Sequence, residues 1–455
     1  WDLLQARYIM NVGLVLEDNK EYADGKGREY YIDYVMNRSS IRQWSLTKLA
    51  DYGFDSETGI WAECPGYSSV VINDYANFTH QFDHNLQYDL VKAMPVLAKA
   101  VATTPQYLFP NRMICGFGDT HPGYLNTNPI SRMIRNAQHN GKKEQEEYFT
   151  AMLKCFHPDA GKTKDNKKSV PVSISSFFDE KPLELNPNIE AGKIEQYVSP
   201  FFYAPNVSWL VQRNGMNPRH SLMISLNASE GNHMHANGIS MELYGKGYVL
   251  APDAGIGLYL YSGLDYLEYY SQFPSHNTVC VDGISSYPVM KSNHSFDLKS
   301  SFPVSSEPGK AFTSVTYSDV SFREPESRAD QTRMMSIVTT GPEIGYYIDI
   351  FRSRKERGGD KMHDYFYHNL GQTLTLTGTD GADLNLQPTE ELAFAGAHLY
   401  AYSYIYDKKS AITDKDIKAT FTIAMPDKDD ISMNLWMKGE TDREVFTALS
   451  PITEG

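Results

Sequence analysis

The sequence predicts an α+β protein in which a helical segment precedes a large antiparallel β-sandwich, because the periodicity of its apolar residues changes along the chain. Over the first 160 residues, apolar side chains recur at intervals of three and four, which is typical of amphipathic helices. Beyond about residue 200, short runs of β-branched and aromatic residues alternate with Gly, Asn, Asp and Pro, as in antiparallel sheets. Helices first and strands afterwards favour two segregated domains.

The helical pattern predicts individual helices over residues 2–16, 29–36, 41–52, 85–102 and 144–155. A stretch rich in lysine and turn-forming residues, 161–168, interrupts this pattern and has the composition of a solvated loop. The alternating pattern predicts strands at residues 221–226, 239–244, 335–339 and 346–351. We therefore divide the chain into a helical segment, 1–160, a linker, 161–200, and a β-sandwich domain, 201–455.

Composition excludes several classes of protein. The chain has 42 Lys and Arg against 56 Asp and Glu, a net charge of -14, and such an acidic balance argues against sequence-independent nucleic-acid binding. No apolar run approaches the ~18 residues of a membrane span, so we expect no membrane-spanning segment. The four cysteines lack CxxC spacing, which favours buried free thiols. The 31 tyrosines suit a cleft that binds sugars, since their rings are flat, apolar and tipped by a hydroxyl.

The strongest motif of the β region is a set of imidazoles and one carboxylate. If residues 233–235 are extended, His233 and His235 project to the same face, because side chains of a strand alternate. Asp253 and His276 are expected to come from neighbouring strands. Two imidazoles and a carboxylate are typical of zinc sites, so we predict a metal site here.

A second motif lies in the helical part, at residues 59–67, and ends in Cys64-Pro65-Gly66-Tyr67. The Pro-Gly step breaks the preceding pattern and places Tyr67 on a loop or at the beginning of the next helix. A tyrosine in that position can act as an acid or base if its surroundings lower its pKa from about 10.

These motifs, in this order, resemble the heparinase II/III-like polysaccharide lyases, which include heparin, heparan and alginate lyases. Residues 63–67 are similar to the segment that bears the catalytic tyrosine of the family, residues 118–120 are similar to its Gly-Asp-Ser segment, and the block from His233 to Asn277 is similar to its β-domain signature. The resemblance implies that Tyr67 and His233 are catalytic. It also implies one structural zinc ion, held by three residues, His235, Asp253 and His276. We further assign Glu63 and His121, which belong to or flank these motifs, to substrate binding.

The resemblance also implies an architecture, an incomplete α/α toroid of helical hairpins joined to an antiparallel β-sandwich. The helical segment is long enough for about half of such a toroid, so we expect either further helical residues before Trp1 or a shortened helical domain. The family neutralises the uronate carboxylate with an Asn or Asn-His element. Asn11 is the candidate within this chain, and the alternative is an element upstream of Trp1. A periplasmic or secreted location and a homodimer are further expectations.

The activity implied is β-elimination on an anionic polysaccharide that contains uronic acid. Tyr67 protonates the leaving oxygen and can also be the base for one epimer, with His233 as base or partner. Two alternatives stay open at this point. One is a hydrolase or esterase in which zinc activates water, with His233 as an additional ligand. The other is a glycan-binding protein without catalysis.

Overall fold

The computed structural model of the protein describes residues 2–157, 182–257, 263–284, 287, 291–304, 307–358, 362–390, 400–426 and 428–452. Much of the predicted linker, residues 161–181, therefore lies outside the described residues. The chain forms two compact units. The first consists of Trp1–Trp61, Ser69–Pro105 and Leu125–Val198, and the second of Ala62–Ser68, Gln106–Tyr124 and Ser199–Gly455.

Helices make up the first part of the described chain. They are α1 Asp2–Val15, α2 Arg28–Asn37, α3 Leu46–Gly53, α4 Pro65–Leu86, α5 Leu90–Ala93, α6 Val96–Thr103, α7 Asn128–His139 and α8 Lys143–Phe156. Several of them begin at local signals in the sequence. The Ser45 side chain accepts a hydrogen bond from the backbone N–H of Lys48 at the start of α3, and Asp89 does the same for Lys92 at the start of α5.

The prediction of one helix over residues 85–102 is wrong, because that stretch contains the end of α4 and two short helices. Asp89 caps α5, and Pro95 precedes α6, where a proline cannot continue an interior helical turn. Helix α4 was not predicted as such, since its many Asn, Thr, Ser and β-branched residues have weak helix propensity. Helix α7 was also missed, although Pro129 in its first turn is a favourable start.

The first unit has its own apolar core, formed by buried side chains of α1 to α8. Tyr75 of α4 is part of it, and its hydroxyl donates a hydrogen bond to the carbonyl of Leu46 across 2.9 Å. The core thus satisfies this buried hydroxyl internally. Its most buried members include Met10, Leu90, Ile130, Met133, Ile134 and Met152.

Strands dominate the rest of the described chain. They are β1 Phe201–Ala204, β2 Trp209–Arg213, β3 Met223–Asn227, β4 Ser229–Asn232, β5 Ser240–Gly245, β6 Tyr248–Ala251, β7 Val279–Val281, β8 Lys291–His294, β9 Asp297–Phe302, β10 Val315–Arg323, β11 Ala329–Gly341, β12 Ile344–Lys355, β13 His363–Tyr365, β14 Thr373–Gly378, β15 Gln387–Pro388, β16 Tyr406–Ile412, β17 Ile417–Ile423, β18 Ile431–Met437 and β19 Glu444–Leu449. A short helix, α9 Tyr400–Ser403, precedes β16.

Two antiparallel sheets of the second unit pack face to face as a sandwich. One has the strand order β1-β2-β3-β5-β6 and the other β12-β11-β10-β9. Side chains of both sheets share one apolar cluster, in which Ile224 and Leu243 of the first sheet lie with Val320 and Ile337 of the second. All four predicted strands fall on strands of these two sheets, and the predicted order of helices followed by antiparallel sheets is confirmed.

The sheets of the second unit differ in burial. Every residue of β2, β3 and β5 is buried, whereas β11 alternates buried and more exposed residues over most of its length. A strand that is buried at every residue belongs to a sheet covered on both faces, whereas alternating burial indicates a sheet covered on one face. The remaining strands pair as β4 with β8, β7 with β13, β14-β17-β18 and β15-β16-β19.

A buried arginine ties the segment around residue 277 to the sandwich. Arg333 of β11 forms an ion pair with Asp349 at 2.7 Å and donates hydrogen bonds to the carbonyl oxygens of Ile239 and Asn277. Asn277 in turn donates to the carbonyl of Met241. Because the guanidinium is fully buried and its partners are fixed, the chain beside residue 276 is held in one place.

The four cysteines are free and buried, as predicted. Within the described residues, none of the helices combines the length and the apolar character needed to cross a bilayer.

Candidate active site and metal centre

Tyr67 lies in the first turn of α4, within the second unit. Pro65 begins the helix, where a proline lacks an N–H that would have no helical partner in any case. The next N–H, of Gly66, donates to the hydroxyl oxygen of Thr120 across 3.1 Å. A Cβ at Gly66 would lie 3.2 Å from the carbonyl oxygen of Asp119, so glycine allows this close approach between the two segments.

His233 follows directly after β4 and does not continue the strand. Its φ is +56°, in the left-handed region, and the chain bends at this residue. The extended conformation under which His233 and His235 would share one face is therefore not adopted. The physical reason is a backbone hydrogen bond in which the N–H of Asp119 donates to the carbonyl of His233 at 3.0 Å. The bend gives His233 and His235 different surroundings.

The ring of His233 stacks on the ring of Tyr67. The ring centroids are 3.6 Å apart and the planes differ by 7°. Nδ1 of His233 lies 3.7 Å from Oε2 of Glu63, and the side chains of His233 and Glu63 are 15% and 13% exposed. Asn232 donates a hydrogen bond to Oε1 of Glu63 across 3.4 Å. One partly exposed group is thus formed by the side chains of Tyr67, His233 and Glu63.

His235, Asp253 and His276 form a second group, which is fully enclosed. Each of them has a side chain with no exposed surface, and one ligand atom from each lies within 4.8 Å of the others. Asp253 follows β6, while His276 follows the short 3₁₀ helix Phe273–Ser275. The expectation that these two residues come from neighbouring strands is wrong, because the loops that follow β6 and precede β7 bring them together.

The hydrogen bonds of this cluster leave one nitrogen of each imidazole unused. Nε2 of His235 lies 2.9 Å from Oδ1 of Asp119, and Nδ1 of His276 lies 2.9 Å from Oδ2 of Asp253. Among the described residues, Nδ1 of His235 and Nε2 of His276 are buried without a hydrogen-bond partner. Buried polar atoms are rarely left unpaired, and two imidazoles with a carboxylate form a common zinc donor set. The residues present therefore fit a zinc ion.

The charge of Asp253 suits this interpretation. Burial by itself would raise the pKa of the Asp253 carboxyl. The charge of His276 and the hydrogen bond to that ring lower the pKa by more than burial raises it, so the net result is a lowered pKa. The backbone N–H of Gly255 also donates to Oδ1. The carboxyl is therefore kept ionised in a buried place, which is the form that binds a metal.

Asp119 is a residue of the site whose side-chain contacts the sequence analysis did not predict. Its Oδ1 contacts His235 and also accepts a hydrogen bond from the hydroxyl of Tyr266. The segment 118–120 was recognised as part of the motif series, but Asp119 lies 116 residues before His235. No local pattern in one sequence reveals a contact over that separation.

Glu242 of β5 is a second buried carboxyl beside this region. Its Oε1 accepts a hydrogen bond from the N–H of Gly116 at 2.8 Å, and Oε2 has no partner among the described residues. Burial, with the negative charge of Asp253 as a further cause, raises the pKa of Glu242 to about 8. Glu242 and Asp253 thus carry opposite pKa changes although both are enclosed.

His121 and Asn11 are the remaining residues that the sequence predicts for the site. His121 is exposed and lies two residues after Asp119 in the second unit. Asn11 is exposed on α1 in the first unit, where its Oδ1 accepts a hydrogen bond from Gln81 across 3.3 Å. The roles assigned to them stay predictions.

Comparison with known proteins gives two family matches. Residues 57–197 match the family described as the second domain of endo-acting ulvan lyase, and residues 198–323 match the heparinase II/III-like C-terminal family. Among curated proteins, the endo-acting ulvan lyase of Formosa agariphila is 25% identical over 476 residues. That alignment covers 99% of this chain and 56% of the ulvan lyase, so the chain spans little more than half of its relative.

Solved structures share the fold. A heparinase III with methylated lysines matches with a TM-score of 0.55 at 12% identity, over 99% of this chain and 58% of that protein. The heparan sulfate lyase HepC from Pedobacter heparinus matches with a TM-score of 0.51 at 12% identity, over 98% of this chain and 58% of that protein. The resemblance to heparinase II/III-like proteins that the sequence motifs predict is therefore confirmed, with residues 198–323 matching the C-terminal model of that family.

Proposed function

We propose that the protein is a polysaccharide lyase that cleaves a uronate-containing anionic polysaccharide by β-elimination. The observation that carries the proposal is the stacked Tyr67–His233 pair, with ring centroids 3.6 Å apart and a carboxylate beside the imidazole. It places two groups able to transfer protons side by side and partly exposed, which elimination requires. The relatives named as ulvan lyase and heparan sulfate lyase support this reaction class.

The elimination needs one base and one acid. His233 takes the proton from C5 of the uronate, and the electrons of that C–H bond form the C4=C5 double bond. The bond from C4 to the glycosidic oxygen breaks, and its electron pair stays on the oxygen. Tyr67 gives its hydroxyl proton to this oxygen. No water enters the product, and the enzyme returns to its starting state when a proton passes from His233 back to Tyr67.

Glu63 orients the base in this proposal. Its carboxylate lies 3.7 Å from Nδ1 of His233, slightly beyond a hydrogen bond, so a small movement on substrate binding would let Nδ1–H donate to it. The other ring nitrogen, Nε2, would then be the base. A carboxylate would repel an anionic substrate, so this geometry favours an orienting role for Glu63 over the substrate contact predicted from the sequence.

The metal of the proposal is a zinc ion with a structural role, held by His235, Asp253 and His276. When bound, it would crosslink three separate loops. A catalytic zinc needs an open position that substrate can reach, and the side chains of this cluster are completely enclosed. This burial argues against the alternative of a zinc-dependent hydrolase or esterase. A periplasmic or secreted location follows from the proposed substrate, since an intact polysaccharide stays outside the cytoplasm.

A panel of uronate polysaccharides tests the proposal. The protein, in its full natural chain, is incubated with ulvan, heparan sulfate and alginate, and short-wavelength ultraviolet absorbance reports the conjugated double bond of an unsaturated uronate. We expect absorbance to rise with at least one of them, in step with new reducing ends. New reducing ends without absorbance would show hydrolysis instead. Binding without either product would support the non-catalytic alternative.

A further inference from the structure

Asp119 contacts both groups of the site through different atoms. Its side chain is fully buried, and Oδ1 lies 2.9 Å from Nε2 of His235 and accepts a hydrogen bond from Tyr266. Its backbone N–H donates to the carbonyl of His233 at 3.0 Å. One residue therefore contacts the ring of the candidate metal ligand and the backbone of the candidate base.

The contact with Nε2 defines which nitrogen of His235 is available. An ionised carboxylate can only accept hydrogen bonds, so Nε2 must carry the hydrogen. In the neutral imidazole the lone pair then lies on Nδ1, which is buried and has no hydrogen-bond partner in the part of the chain that the structure describes. A metal ligand is commonly held in this way by a carboxylate on its second nitrogen, which also makes the ring a stronger donor.

The backbone around Asp119 has a conformation that serves the second contact. Gly118 has a φ of +64°, and a Cβ there would lie 2.5 Å from the carbonyl oxygen of His233. Only glycine permits this approach, which brings the N–H of Asp119 to that carbonyl. The following residue, Thr120, accepts the hydrogen bond from Gly66 at the start of α4.

We propose that Asp119 is the positioning residue of the zinc site, which holds His235 as the Nε2–H tautomer so that Nδ1 binds the metal, with Tyr266 fixing the carboxylate. The inference rests on the metal of the proposed function but not on the elimination chemistry. Removing a contact of this kind typically weakens metal binding 10- to 100-fold.

Zinc affinity tests the inference. The dissociation constant is measured by competition with a chromogenic chelator for the wild type, Asp119→Asn and Tyr266→Phe. We expect binding to weaken about 10- to 100-fold in Asp119→Asn and by a smaller factor in Tyr266→Phe. The matched controls are Asp364→Asn and Tyr402→Phe, because the hydroxyl of Tyr402 donates to Asp364 in a Tyr–Asp pair without a histidine. Zinc affinity should stay unchanged in both.

A second measurement needs no variant of Asp119. Long-range ¹⁵N correlation spectra of the metal-free wild type should show His235 as the Nε2–H tautomer, with its signals assigned by their loss in His235→Gln. A His235 protonated on Nδ1, an unchanged zinc affinity in folded Asp119→Asn, or a wild type that binds no zinc would each overturn the inference. Failure of the elimination chemistry is seen separately, as absent ultraviolet product with zinc affinities that still follow this order.

Discussion

His233 and His235 are separated by one residue, yet their surroundings are opposite. His233 is partly exposed and stacks on Tyr67. Its Nδ1 has no hydrogen bond to any described residue, and Oε2 of Glu63 lies 3.7 Å away from it. His235 is fully enclosed and has a close carboxylate partner at 2.9 Å. The group with access to a substrate is thus loosely bonded, and the enclosed group is tightly bonded.

This difference favours separate roles for the two histidines, proton transfer for His233 and metal binding for His235. Groups that transfer protons must reach substrate, and their hydrogen bonds often tighten only when it binds. Groups that hold a structural metal are instead preorganised and shielded from solvent. The comparison predicts that the two groups can be disabled one at a time.

The largest expected effect is the loss of activity in Tyr67→Phe. Without the phenolic hydroxyl the leaving oxygen receives no proton, and general acid catalysis is typically worth about 10²- to 10⁴-fold. Initial rates of ultraviolet product formation measure the loss, while zinc content and melting temperature should match the wild type. Tyr75→Phe, in the core of the same helix, is the control and should keep its activity. Wild-type rates in Tyr67→Phe would remove this residue from the mechanism.

His276→Ala should have the converse effect on metal and stability. It removes one of three ligands, so the zinc content measured by elemental analysis should fall from about one ion to none. The apparent stability should fall as well, because an ion that binds only the folded state stabilises it by mass action, about 2.7 kcal/mol at a free concentration 100 times the dissociation constant.

The control for this change is His220→Ala. The side chain of His220 is partly exposed, and its Nε2 lies 3.4 Å from Oε1 of Glu343. We expect full zinc content in that variant. If His276→Ala bound zinc as tightly as the wild type, the assignment of the ligands would fail.

Glu63→Gln should lower the rate about tenfold, a smaller effect than that of Tyr67→Phe, since orientation of a base contributes less than the proton donor itself. The neutral amide keeps the shape of Glu63 but is a weaker acceptor for Nδ1–H of His233 than a carboxylate. Initial rates at saturating polysaccharide measure the loss, and zinc content should not change. A tighter affinity for polysaccharide at an unchanged maximal rate would instead favour the substrate-binding role for Glu63.

The last expected effect concerns Glu242 and is confined to the pH dependence of stability. Its folded-state pKa of about 8 is raised from the ordinary value, so the folded state keeps a proton that the unfolded state releases. The stability that this proton contributes is complete below about pH 4.5 and is lost as the pH rises through about 8. Urea unfolding of the metal-free protein should show this fall, and Glu242→Gln should flatten it by up to about 1 kcal/mol per pH unit. Parallel slopes would contradict the assignment.

The sequence predicted the order of helices and sheets because amphipathic patterns report burial directly. It also singled out His235, Asp253 and His276 as one group, and their potential ligand atoms lie within 4.8 Å of one another. The bend at His233 could not be predicted, because its positive φ depends on a hydrogen bond from Asp119, far away in the chain. The same holds for α4, whose helical state comes from tertiary packing of side chains such as Tyr75 and not from propensity.

The burial of Cys64 has a consequence for how the protein tolerates its surroundings. This thiol lies three residues before Tyr67, has no exposed surface, and burial raises its pKa to about 12. The reactive form of a cysteine is the thiolate, which is almost absent at neutral pH under these conditions. Alkylating agents and mild oxidants should therefore leave Cys64, which lies beside the candidate active site, unmodified. An oxidising environment outside the cell is compatible with this free thiol, which needs no disulfide for its protection.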